Sequence, residues 1–431
     1  MSGPQPALAE DFLQKVDASL QGTDALLDNN FPGDDGRRQP VHTVYVPADR
    51  YTHDLPRRWG DEARSLIDQH GGIDQVCQAA GLRPELAAQV GPRVLAKLDR
   101  EPIEDLRLDF EDGYGSRNDD VEDHDSVATA GRLADAVHAG TAPPFVGIRF
   151  KCFEMPSRRR GIRTLDLFLG ALLARLPELP EGLVLTFPKV STVDQVRAMV
   201  TVSEQLEQSF GLPPGRLRFE IQVETPQLII GADGRVPVAA AIHAGGGRVS
   251  ALHYGTYDYS ASLQISAEYQ ASDHPAADFA KQVMQVAVAG TPVHLSDGST
   301  NILPIGTGDQ VQHAWRLHAR LVRRALERGF YQGWDLHPGQ LPTRYAATFA
   351  FYRDGAQRAG LRLRNYLTKT DSQVLDEPAT ARALARYLQR GHACGAVDDA
   401  ELTDLTGLTA DQVAALARPR SDTQTMHPVG P

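Results

Sequence analysis

The sequence has only three cysteines, Cys77, Cys152 and Cys394, far apart and in no paired spacing. That excludes a disulfide framework and a cysteine-built zinc site, and it points to a reducing, cytoplasmic setting. No stretch approaches 18 consecutive apolar residues, so no membrane-spanning helix is expected. The first residues, MSGPQPALAEDFLQK, have neither a basic region nor an apolar core, and no secretory leader is expected. Positive charge is also short: 44 Lys and Arg against 55 Asp and Glu leave a net charge of −11. General affinity for nucleic acid or an anionic membrane is therefore disfavoured. The composition is otherwise globular, 42% hydrophobic and 23% charged, and 431 residues suffice for one large domain and a smaller one.

A short amphipathic stretch (Leu8, Phe12, Leu13, Val16, Leu20) precedes an acidic, turn-rich segment, so residues 1–40 read as a helical extension and linker. Eight β-branched runs follow: 41–46, 106–110, 145–150, 183–187, 217–223, 249–254, 302–306 (the weakest) and 330–336. Strands apolar on both faces and separated by helical segments imply parallel pairing with crossover helices. Eight of them predict a (β/α)8 TIM barrel over 41–364, followed by a small C-terminal helical domain over 365–431, read as a lid and tail. The ionisable residues cluster at the C-terminal ends of the runs: Asp109, Glu111 and Asp112, then Arg149, Lys189, Glu224, Asp258 and His337. In a barrel these ends share one rim, where such folds place their chemistry.

Glu224 and Asp258 close neighbouring strands, and two carboxylates there offer a hard cation such as Mg²⁺ or Mn²⁺ two oxygens with positions to spare. A 2-oxo acid could chelate that ion, which would stabilise an enolate. Either acid alone reads equally as a helix cap or a surface ion pair. Arg149 fits an oxyanion or carboxylate, or an ion pair with the Asp109, Glu111 and Asp112 cluster. Lys189 is an electrophile, a Schiff-base amine or a lip salt bridge. Arg158, Arg159, Arg160 and Arg163 form a cluster suited to a second anionic group, including a phosphate, or to a solvated face. His337 is a substrate contact or a turn residue before Pro338; His253 reads as a core histidine. AGGGR (244–248) reads as a helix-ending turn, and NDDVEDHD (118–125) as a solvated helix start.

The strings VYVPADRY, LDFEDGYG, GIRF, LTFPKV, QVETP, YGTYDY and WDLHP, in this order, resemble the signature blocks of the HpcH/HpaI aldolase and citrate lyase β-subunit superfamily, which includes malate synthases. The resemblance implies a Mg²⁺-dependent barrel that makes or breaks a carbon–carbon bond through an enolate. It implies Glu224 and Asp258 as metal ligands, Arg149 as oxyanion stabiliser, and Glu111 and Asp112 as supports for metal waters or the arginine. It also suggests a homo-oligomer. YGTYDYSASL and VLDEPATARALARYL are similar to malate synthase blocks, with Tyr257 where Trp would stand and the acidic pair Asp376-Glu377 at the place of the catalytic base. A helix N-terminus accounts for that pair equally well. The expected function is a metal-dependent carbon–carbon lyase or aldolase acting on a 2-oxo acid or its adduct. The alternatives are condensation of an acyl-CoA thioester with glyoxylate, and a catalytically silent metabolite-binding barrel.

Overall fold

A computed structural model describes residues 7–368 and 377–418. Asp376 lies outside the described residues. Eight parallel strands, β1 (His42–Pro47), β2 (Asp105–Asp109), β3 (Phe145–Arg149), β4 (Leu183–Phe187), β5 (Phe219–Val223), β6 (Val249–Tyr254), β7 (His294–Ser296) and β8 (Gly333–Asp335), follow one another around a barrel. β8 pairs with β1, and a bridge between Ser296 and Gln332 joins β7 to β8, so the sheet nearly closes. This is the (β/α)8 TIM barrel. No described helix is long and apolar enough to cross a membrane.

After α1 (Glu10–Asn30), the layer outside the strands holds α2 (Leu55–Gln69), α3 (Ile73–Ala79), α4 (Pro84–Arg100), α5 (Asp119–His138), α6 (Arg158–Leu173) and α7 (Val193–Phe210). It continues through α8 (Pro226–Ile229), α9 (Pro237–Ala244), α10 (Thr256–Ser262), α11 (Pro275–Val288), α12 (Gly308–Glu327) and α13 (Leu341–Thr368). Capping boxes at Thr192 and Thr307 fix the starts of α7 and α12. Outward strand residues such as Leu106, Leu108, Ile148, Leu185 and Ile221 are fully buried against these helices.

Two expectations change here. The seventh strand is His294–Ser296, not 302–306. Ile302 and Ile305 stand on the loop beyond it, 44% and 56% exposed, whereas HLS is too short and too polar to stand out as an apolar run. Nor are the strands apolar on both faces. Their inward positions carry Thr43, Tyr45, Asp105, Arg107, Thr186, Glu220, Gln222 and His253, aligned by the pairings Tyr45 with Arg107, Thr186 with Glu220 and Gln222 with His253. A hydrogen-bonded ionic layer fills the lumen, where barrels usually hold branched aliphatics. Arg107 spans it, bonding Asp105, Glu220 at 2.7 Å and Thr186 at 2.9 Å, while His253 Nε2 lies 3.1 Å from Glu220.

The C-terminal helices α14 (Pro378–Ala393), α15 (Asp399–Thr406) and α16 (Ala410–Ala417) pack on the second half of α13, burying Ala356, Ala359, Leu363, Ala385 and Leu388 together. Residues at the end of α14 meet the segment leading into β1: Gln389 donates to Gly36 O, and Arg390 lies 3.4 Å from Asp34. These helices therefore sit toward the N-terminal ends of the strands rather than across the mouth as a lid.

Candidate active site

The mouth at the C-terminal strand ends is built around Arg149, the last residue of β3 and almost fully buried. Its Nε and Nη2 each donate to Asp109 at 2.7 Å, a two-pronged pairing that fixes the guanidinium plane. Asp109 is held in turn by the backbone N–H groups of Glu111 and Gly113. The guanidinium carbon lies 4.9 Å from the ring centre of Tyr45 and 5.5 Å from that of Trp334. The third nitrogen, Nη1, donates a long hydrogen bond to Gln222 Oε1 at 3.4 Å and lies 3.4 Å from Glu111 Oε2. Two further donors, Gln222 Nε2 and Trp334 Nε1, are buried with no hydrogen-bond partner among the described residues. Buried donors without acceptors are costly, and Gln222, whose Oε1 meets Nη1, brings one of them to the guanidinium, where an anion would satisfy it.

Glu224 follows β5 and is buried. Its Oε1 accepts the Lys189 backbone N–H at 2.7 Å. Burial, opposed by the Lys189 ammonium and reinforced by the Asp258 charge, pushes its carboxyl up to about 8. Glu111 is raised to about 7, chiefly by burial. Lys189 adopts φ 51, uncommon for a residue with a side chain, and this turn aims its N–H at Glu224. Its ammonium contacts Glu111, bonds Asp112 at 2.9 Å and lies 3.7 Å from Asp258. Burial pulls its pKa down, but the charges of Glu111 and Glu224 outweigh that and hold the amine protonated. Of the three readings of Lys189, the ion pair matches this geometry; a neutral Schiff-base amine does not.

Asp258 lies in the first turn of α10, half-exposed. Gly255, just before that helix, permits the approach of the β6 loop to Glu224, because a Cβ there would lie 2.6 Å from Glu224 Cβ. Among the described residues, no group of three or more His, Cys, Asp or Glu side chains is gathered as a metal cage. The donor set nonetheless fits a hard divalent ion that keeps most of its waters. Glu224 is buried and close enough to Asp258 for that charge to raise its pKa, so a cation between the two carboxylates would offset both the burial and the repulsion.

Other expected residues fall elsewhere. Arg160 is paired with Asp123 of α5 at 2.6 Å and lies 3.4 Å from Glu122, and Arg163 bonds the same aspartate. These arginines tie α6 to α5, so Arg160 is a packing residue; Arg159 is exposed. His337 is the turn residue, its Nδ1 accepting the Gly339 N–H at 3.0 Å, and burial lowers its pKa. Glu377 is exposed at the start of α14, makes no capping bond, and belongs to the helices toward the opposite end of the barrel. Sequence reading missed Gln222, Tyr45 and Trp334 as site residues. The alternation of apolar and polar residues in FEIQV and DLRLD was the signal for the inward set.

Over residues 20–421 the chain matches a family described as a domain of unknown function, DUF6986. It belongs to the DUF6986 family. No curated protein matches it. Among solved structures, this DUF6986 chain is similar to a citrate lyase from Burkholderia xenovorans LB400, with 20% identity, a TM-score of 0.56, and 85% of this chain and 96% of that chain covered. It is also similar to a malate synthase from Haloferax volcanii (15% identity, TM-score 0.47, 88% of each chain). A third match is an HpcH/HpaI aldolase/citrate lyase family protein from Burkholderia cenocepacia J2315 (15%, 0.39, 78% of this chain and 98% of that chain). The DUF6986 chain thus shares the barrel fold of the superfamily that its sequence blocks resemble.

Proposed function

We propose that this protein is a Mg²⁺- or Mn²⁺-dependent carbon–carbon lyase or aldolase acting on a 2-oxo acid or its adduct. The observation that carries the reading is the mouth itself: a buried Glu224 that feels the charge of Asp258, beside an arginine locked by Asp109 whose Nη1 meets Gln222, itself holding a buried amide donor with no partner among the described residues. Glu224 and Asp258 would hold the ion, which when bound supplies a Lewis acid for the oxygens of the oxo acid. Arg149 Nη1, Gln222 Nε2 and Trp334 Nε1 would receive the substrate carboxylate or developing oxyanion, with Asp109 keeping the guanidinium from turning away. Lys189 anchors Glu224 through its backbone and neutralises Glu111 and Asp112 through its ammonium. Glu111, between Lys189 and Arg149 Nη1, would be the acid that exchanges a proton with substrate there. The position of Glu377 weighs against its serving as the base of its own chain.

Proton–deuterium exchange followed by NMR tests this reading. Pyruvate and acetyl-CoA are offered separately in D₂O with Mg²⁺, with EDTA and Glu224→Gln as controls. The expected result is exchange of pyruvate methyl protons that EDTA and Glu224→Gln both abolish. Exchange confined to acetyl-CoA would move the protein to a condensation of malate synthase type. Mg²⁺ binding and exchange that survive Glu224→Gln would overturn the site.

A further inference from the structure

At the N-terminal end of the barrel, opposite the mouth, a cavity of about 220 Å³ lies between the segment leading into β1, the start of β7 and the helices α13, α14 and α16. Part of its wall is apolar: Val41, Ala393, Leu402 and Ala414, with the rings of Tyr331 and Tyr352. An apolar cavity of about 150 Å³ takes a benzene ring, so this volume holds roughly nine non-hydrogen atoms.

The rest of the wall carries polar groups with nothing to bond. Tyr352 is 3% exposed, yet its hydroxyl makes no hydrogen bond among the described residues. His294, the first residue of β7, lines the same space, and neither ring nitrogen has a partner among them. A buried hydroxyl left without a partner is costly.

Arg390 supplies the charge. Its guanidinium carbon lies 4.1 Å from the ring centre of Tyr331. Its Nη2 reaches Asp34 Oδ2 only at 3.4 Å, and Arg386 Nε stands 3.4 Å from the same oxygen without bonding it. Two guanidinium groups thus share one carboxylate at a length where such bonds are weak, and one positive charge is left over. The other arginines of the lining are taken, Arg37 by Asp35 and Arg38 by Glu101 and Glu104. Asp411, the other acid of the lining, is exposed in the first turn of α16, where water screens it. Burial and then the Arg390 charge hold His294 down to about 4, over the opposing pull of Asp34. The ring is therefore neutral near pH 7, and the charge that faces it is positive.

We propose that this cavity binds a small carboxylic acid, its carboxylate on Arg390 and the Tyr352 hydroxyl and its apolar body against the apolar wall. Bound there, the acid would tie α13 and α14 to the segment that feeds β1. Val41 precedes β1 and His294 begins β7, so the barrel separates this site from Arg149. The proposal holds whatever reaction the mouth performs.

Isothermal titration calorimetry of the full chain tests the site. Benzoate and hexanoate are the probes, with benzyl alcohol as a body lacking the charge and inorganic phosphate as a charge lacking the body. Tyr352→Phe removes one oxygen and keeps the ring, so folding is not at stake; Arg390→Gln removes the cation. Neither residue belongs to the mouth. The expected result is an acid bound at one site per chain, with benzyl alcohol and phosphate each weaker by about tenfold or more. Each substitution should weaken the acid by about tenfold, the loss of one hydrogen bond to a charged group. If neither acid binds the wild type at millimolar concentration, the proposal fails. It fails equally if phosphate or benzyl alcohol binds as tightly as the acid. It also fails if either variant binds like wild type, which would put the acid elsewhere, such as at Arg149.

Discussion

A Cβ on Gly255 would sit 2.8 Å from Glu224 Oε2 as well as against its Cβ, so this glycine sets how closely the β6 loop approaches the carboxylate. Its φ of −98 suits any residue, which makes Gly255→Ala a steric change rather than a conformational one. Moving a catalytic group by about 1 Å costs on the order of 100-fold in rate. Gly255→Ala should therefore lower turnover by about that factor while the far-UV spectrum is unchanged; activity within threefold of wild type would show that Glu224 is not positioned this way. Glu224 also carries a pH signature. Its folded pKa, about 8, stands above the ordinary 4.5, so the metal-free protein loses stability as pH rises from about 4.5 to about 8 and no further beyond. In EDTA, Glu224→Gln should melt at a higher temperature than wild type at pH 8, and the gap should shrink toward pH 5. Mg²⁺ should raise the wild-type midpoint and leave that of the variant in place.

At the scale of elements, the inward faces of β2, β4, β5 and β6 hold a network whose one guanidinium is Arg107. Burial works against its charge, yet Asp105 and Glu220 hold it firmly protonated. Removing one partner of a buried pair leaves an uncompensated charge, at a cost of about 3–5 kcal/mol. Arg107→Met should lose about that much in urea unfolding, and adding Glu220→Gln and Asp105→Asn should recover most of it. If Arg107→Met alone is neutral, the ionic layer does not hold the barrel together. The same layer explains what the sequence disclosed. β2 reads Asp-Leu-Arg-Leu-Asp, and once eight parallel strands are expected its alternation assigns three charges to the lumen. The rim positions of Arg149, Lys189, Glu224 and Asp258 were legible because each ends a strand or follows one within four residues. β7 was not, because three residues with one Leu give no periodicity. Trp334 and Gln222 lie within strands, so only register reveals that they meet at Arg149. The place of Glu377 was illegible for another reason: the course of α13 decides which end of the barrel the last helices reach.

Across the whole molecule, α13 runs through both the barrel core and the C-terminal core, and Tyr387 of α14 packs against both. The first half of α13 gives Tyr345, Phe349 and Tyr352 to the barrel core, and its second half gives Ala356, Ala359 and Leu363 to the C-terminal core. A continuous 28-residue helix cannot lose one half's packing without fraying toward the other, which should couple the two cores into one cooperative transition. The chain is built to report this, since its three tryptophans, Trp59, Trp315 and Trp334, all belong to the barrel. Leu388, fully buried on α14, belongs to the C-terminal core. Leu388→Ala should cost about 2–5 kcal/mol. If the cores are coupled, that loss appears in the tryptophan transition, which shifts together with the far-UV signal. A tryptophan curve that stays in place while the far-UV signal acquires an earlier phase would make the last helices a separate folding unit, and α13 a tether rather than a strut.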